Sequence, residues 1–184
     1  MARIDPVPRD RLAPALRRQL EKDEAAGRDP ALNGVMAHLP ELFERYFAFY
    51  HPAHEHGVVE ARIKELARLE IARRNGCLGA CGMARYAQPE REGLDEATIA
   101  QLDLPPEQQR FTPRERLAIE FARRFATDHL AIDDAFLARL RAEFSDPQLL
   151  ELGMLIGQYL GFGRLLVVLG LQNYSRSPYR AGLG

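Results

Sequence analysis

Apolar residues recur along this chain at helical spacing, and nowhere do they alternate over enough length to make a strand. ELFERYFAFY puts Leu42, Phe43, Tyr46, Phe47 and Tyr50 on one stripe after Pro40, and Pro52 is expected to stop that helix. From 59 to 74, Ile63, Leu66, Ala67, Leu69 and Ile71 alternate with charges at the same period until Asn75-Gly76 breaks the run. A further helix is expected from Cys77 or Leu78 to about Ala87, then a turn over 89–93. Upstream, 10–24 suits a first helix ending near Gly27, and Pro30 fits the first turn of a short second one through His38.

Downstream the start signals are sharper. Asp95 can cap a short helix through Leu102. Thr112-Pro113-Arg114-Glu115 supplies the hydroxyl, proline and glutamate of a capping box, for a helix to about Thr127. Asp133 starts another, to Phe144, and Ser145-Asp146-Pro147 opens the longest, expected to end near Tyr174. Glycines at 153, 157, 161, 163 and 170 lower its helix propensity and suit the close approach of another backbone. The expectation is a single all-α domain over 1–184, with 1–30 as a helical arm.

The 184 residues carry 25 Lys and Arg against 26 Asp and Glu, so no basic surplus points to nucleic acid. MARIDPVPRDRL lacks the features of a secretory signal, and 149–171 carries Glu151, Gln158 and Arg164, too polar for a comfortable membrane span. A cytoplasmic protein with no membrane partner is expected, and its near-neutral charge suits a homo-oligomer. Arg164, in so apolar a helix, is expected to meet a carboxylate or an interface. Tyr46, Phe47, Phe49 and Tyr50 read as core or subunit contacts, or as the wall of an organic peroxide pocket.

NGCLGACGMAR, over 75–85, holds both cysteines. In a reducing compartment they are packing or chemistry, not a structural staple. Placed in the first turns of a helix, Cys77 and Cys81 would gain from unpaired amides, and Arg85 one turn on would add positive charge. Cβ atoms four apart in a helix lie about 5–6 Å apart, against roughly 3.5–4.5 Å for a disulfide. The two can therefore bond only if Cys77 lies at or before the helix start, or if Gly79 lets the turn distort. Buried packing of two small residues among Ala80, Gly82, Met83 and Ala84 is the competing reading.

His51, His54 and His56 could bind a metal weakly, but no cysteine or carboxylate spacing completes a site, so none is assigned. One of them, or His129, could instead fold back onto the cysteines. Glu65 could handle protons, or pair with Lys64, Arg62 or Arg68 on an exposed helix face.

KELARLEIARRNGC, then Cys81, GLDEATIAQL, FTPRERLAIEFARRFATDH and FSDPQLLELGMLIGQYLGFGRLL, in that order over about 35–173, resemble the carboxymuconolactone decarboxylase-like superfamily, nearest its alkylhydroperoxidase D branch. The resemblance implies a bundle of about six to eight helices assembled as a trimer or hexamer, with a dimer also open. It implies thiol-dependent reduction of small hydroperoxides with no cofactor. Cys81 would attack peroxide, Cys77 would resolve the sulfenic acid as a disulfide, Glu65 would relay protons, and a dithiol donor would restore the thiols.

The chain departs from that pattern in three places. Its pair is C-x-x-x-C, one residue longer than C-x-x-C; Arg85 replaces a histidine, and Ala80 stands where the peroxidase has another. Arginine stays protonated, so Arg85 can steady a thiolate but cannot act as a base. Two alternatives remain: a lactone decarboxylase of the same superfamily that needs no thiol, and a non-catalytic helical oligomer.

Overall fold

The computed structural model describes residues 2–25, 31–78, 80–83 and 92–171. Its helices are α1 (Pro14–Ala25), α2 (Ala31–Met36), α3 (Pro40–Glu55), α4 (Ala61–Arg74), α5 (Ala80–Met83), α6 (Glu96–Ala100), α7 (Pro113–Thr127), α8 (Asp134–Glu143) and α9 (Asp146–Val168), with short 3-10 turns between them. No strand occurs among the described residues.

α4 is the axis of the fold. Every residue from Ala61 to Ala72 except Arg62 is buried, because neighbours pack on all its sides. Ile63, Ala67 and Ile71 meet Phe121, Leu152 and Ile156 of α7 and α9. Leu66 and Leu69 face a second cluster with Leu94, Ile99 and Phe111. A buried axial helix must also house its charges in pairs. Lys64, wholly buried, donates to the carbonyls of Ala53 (3.0 Å) and His56 and to Glu151 (2.9 Å). Glu151 in turn accepts from the Val58 amide at 2.6 Å. One ammonium thus staples the α3–α4 corner to α9.

The capping box of α7 is present, as are the Asp95 and Asp133 caps. Three ends differ clearly from expectation. α1 starts at Pro14 rather than at residue 10, which lies in a separate 3-10 turn (Arg9–Arg11), since proline is favoured at the first helical position. α3 continues through Pro52 to Glu55, because a proline in the last turn costs little helix beyond it, and Lys64 satisfies two of the carbonyls at that end. α9 ends at Val168 rather than near Tyr174. Gly170, at φ +69°, lets the Leu171 amide reach the Leu166 carbonyl (2.8 Å) and its own amide reach Val167 (3.1 Å), a Schellman stop. Of the expected helix to Ala87, Ala80–Met83 is described, and 84–91 lie outside the described residues, as does Gly27.

The N-terminal segment is docked: the Arg3 amide donates to Leu169 (2.8 Å) and the Val7 amide to Gly34 (2.9 Å). α9 has the length and composition of a membrane span. Here it is a core helix on one side, with Leu152, Leu155, Ile156 and Tyr159 buried. Its other side exposes Leu150, Met154, Leu165 and Val168. Arg164 has no carboxylate partner among the described residues. It is exposed, and donates to Asn75 Oδ1 (3.2 Å) and the Ala126 carbonyl (3.1 Å), so solvent and two neutral acceptors suffice.

Candidate functional site

The end of α4 sets the first cysteine. Gly76 takes φ +66°, its amide donates to Arg73 (3.1 Å), and the Cys77 amide donates to Ala72 (2.9 Å). That Schellman geometry explains the Asn-Gly break and drops Cys77 into an apolar cluster with Val35, Leu166 and Leu171, at 0% exposure. α5 begins three residues later. The Cys81 amide donates to the Cys77 carbonyl at 3.1 Å, and the Cα atoms stand 5.3 Å apart with the sulfurs joined in a disulfide. Cys77 thus lies before the helix start, one of the two arrangements that allow this spacing to bond; the other falls on Gly79, outside the described residues.

Cys81 is half-buried, and its Sγ faces Gly163 of α9. A Cβ at Gly163 would stand 3.7 Å from that sulfur and 2.6 Å from Asn75 Nδ2, which leaves no room for a side chain. Among the α9 glycines this is the crowded one, but the neighbours are the side chains of Asn75 and Cys81 and not the backbone that was expected; Gly157 and Gly161 meet nothing within 4 Å. Asn75 Nδ2 donates to the carbonyls of Tyr159 (3.3 Å) and Leu160 (3.2 Å), which fixes the cysteine turn to α9.

A guanidinium reaches the cysteine turn, and it is that of Arg68. Its Nη1 donates to the Cys81 carbonyl at 2.6 Å, while Nε and Nη2 each donate to Glu65 at 2.6 Å. Arg85 lies outside the described residues. Glu65 is 1% exposed, so the exposed-face pairing considered from sequence gives way to a buried, two-point ion pair. Burial alone would raise the Glu65 pKa. The Arg68 charge and hydrogen bonds, helped by His54, override it and hold the carboxyl at about 2.

His54 completes the group from α3. Its Nε2 lies 3.5 Å from Glu65 Oε2, and its Nδ1 lies 2.6 Å from the Tyr159 hydroxyl. Burial lowers the His54 pKa below its ordinary value, and the Glu65 contact offsets that only in part. The other histidines go elsewhere. His51 stacks on Phe47 at 4.9 Å, while His56 and His129 are exposed. Among the described residues no group of three His, Cys, Asp or Glu could hold a metal.

No protein-family model and no curated protein matches the chain. Solved structures do. The alkylhydroperoxidase AhpD core of an uncharacterized peroxidase-related protein from Ralstonia eutropha aligns with a TM-score of 0.72 and 21% identity, over 92% of this chain and 90% of that one. An uncharacterized peroxidase-related protein from Silicibacter sp. aligns at 0.75 and 18%, over 92% and 90%. The chain has the AhpD fold. A protein of unknown function from Agrobacterium tumefaciens, a candidate AhpD antioxidant-defence protein, aligns at 0.62 and 25%, over 78% of this chain and 94% of that one. The all-helical bundle expected from the order of the sequence segments is therefore met.

On this AhpD fold, sequence reasoning placed Cys77, Cys81 and Glu65 together, left His54 as one of four histidines, and missed Arg68 and Tyr159. A signal for His54 existed: it extends the Tyr46, Tyr50 register by another four residues. Ending the helix at Pro52 concealed it.

Proposed function

We propose that this AhpD-fold protein is a thiol oxidoreductase that reduces small hydroperoxides, or exchanges disulfides, through Cys81 and Cys77. The observation that supports it most is a joined cysteine pair whose half-buried member touches a buried Arg68–Glu65–His54 chain.

In the proposed cycle the Cys81 thiolate attacks the terminal oxygen of the hydroperoxide. The O–O bond breaks, the alkoxide takes a proton and leaves as alcohol, and Cys81 becomes a sulfenic acid. Cys77 then attacks that sulfur, releasing water and forming the disulfide. A dithiol donor from a reducing compartment such as the cytoplasm returns both thiols. Arg85, by its place in the sequence, is assigned to steady the Cys81 thiolate beside the Arg68 already at its carbonyl. Glu65, kept ionised by Arg68 and contacted by His54, is assigned the proton relay, since Arg85 stays protonated and cannot act as a base. A homo-oligomer is proposed through the exposed apolar side of α9.

The test is peroxide consumption with a dithiol donor by the native chain and by Cys81→Ser. Loss of turnover is expected; equal rates would overturn the reading. The lactone decarboxylase alternative makes the opposite demand, turnover of a cyclic carboxylated lactone after both thiols are alkylated.

A further inference from the structure

His54 is enclosed by charged and titratable groups from three helices. Lys64, Glu65 and Arg68 face it from α4, Tyr50 from α3 and Tyr159 from α9. Glu65 pairs with Arg68 and Lys64 with Glu151, so this set is neutral when the imidazole is neutral. A carboxylate has only lone pairs to offer. If Nε2 were bare, two lone pairs would oppose each other at 3.5 Å in a dry site. Nε2 therefore carries the ring hydrogen.

A neutral imidazole has one hydrogen, which leaves Nδ1 as an acceptor. The group at that nitrogen is the Tyr159 hydroxyl, 2.6 Å away. We infer that Tyr159 is a positioning residue: its hydroxyl donates to Nδ1 of His54 and fixes the neutral ring in place, with the Nε2–H that Glu65 demands turned to that carboxylate. Burial raises the Tyr159 pKa well above the ordinary phenol value, so the donor hydrogen stays in place across the working pH range.

The arrangement is a carboxylate, an imidazole and a hydroxyl in sequence, and here the hydroxyl sets the ring rather than reacting. With both ring nitrogens engaged, neutral His54 trades no proton itself: its Nε2–H orients the ionised Glu65 carboxylate, which is the proton acceptor in the proposed thiol chemistry. The Tyr159 bond favours the neutral ring over imidazolium, so removing it raises the pKa of His54. Imidazolium would hold the neighbouring Glu65 carboxylate more tightly and weaken it as a base, so the acid limb of activity, which requires the neutral ring, then moves to higher pH.

The test begins with the resting protein, so it does not depend on turnover. In 15N-labelled protein, the imidazole signal that His54→Gln removes should be that of an Nε2–H tautomer at neutral pH. Tyr159→Phe leaves Glu65 to keep the hydrogen on Nε2, but it should raise the His54 pKa read from that 15N signal and move the acid limb of the pH–rate profile upward, each by about half to one pH unit, the worth of one ordinary hydrogen bond. An Nδ1–H tautomer in the native protein would overturn the inference, even if Tyr159→Phe failed to fold. So would a folded Tyr159→Phe with the His54 titration and the limb both unchanged. A protein with the Nε2–H tautomer but no peroxide turnover would keep this inference and sink only the proposed reaction.

Discussion

Consider replacing Arg68 by methionine, which fills similar volume and removes the charge. Glu65 would stay 1% exposed, with its two 2.6 Å partners gone. Stranding one member of a buried ion pair costs roughly 3–5 kcal/mol. An independent route gives a similar size: a carboxyl held at about 2 rather than its ordinary 4.5 represents about 3 kcal/mol of stability at neutral pH. The sign follows from the lowered pKa. This stability is fully present above the unfolded value and is lost as pH falls towards the folded one. In Arg68→Met the carboxyl titrates high instead, so the gap between native and variant protein is widest at neutral pH. It should shrink by more than half by roughly pH 3. Urea unfolding of both proteins at the two pH values measures it. Glu65→Leu with Arg68→Met should lose less than Arg68→Met alone, because no charge is left stranded. A single-variant loss below about 1 kcal/mol, or a gap that ignores pH, would refute the account of Glu65.

Two glycines separate steric from conformational cost. Gly163→Ala puts a methyl 2.6 Å from Asn75 Nδ2, so Asn75 must shift and give up its bonds to α9; this should lose about 1–3 kcal/mol and, by loosening the cysteine turn, slow disulfide formation after reduction. Gly76→Ala meets nothing within 4 Å and pays only for its positive φ, about 1–2 kcal/mol; thermal melts and thiol kinetics on both variants check the contrast. Met154→Glu, on the exposed side of α9, should yield a lighter species in sedimentation, and an unchanged mass would remove that helix from the proposed subunit contact.

Much of the fold was legible because its signals are local. The Thr112 to Glu115 box, the Asp133 cap and the Asn75-Gly76 stop each act within a few residues. The errors were also local, but set by distant partners. Pro52 stays inside α3 where Lys64, arriving from α4, satisfies the carbonyls at the helix end. The left-handed turn at Gly170, disguised by the surrounding apolar run, ends α9 at Val168, six residues before the expected stop at Tyr174. In the site, Glu65 and the cysteines came from the order of segments. Arg68 looked like an ordinary i,i+3 partner, since sequence spacing does not tell a solvated helix face from an enclosed one. Tyr159 is met by His54 across 105 positions of chain, a distance over which periodicity carries no information.

Lys64 and Glu65 are adjacent residues with opposite duties. Lys64 pins the corner where α3 ends, and His54 belongs to that corner; Glu65 receives the imidazole that the corner delivers. Loosening the pin therefore misplaces the ring before the domain melts. A substitution survey scored by turnover would flag position 64 beside 65 as part of the chemistry, although its ammonium is spent on Glu151 and two peptide carbonyls. Only a survey that scores folding and rate separately would assign the two neighbours to their different trades.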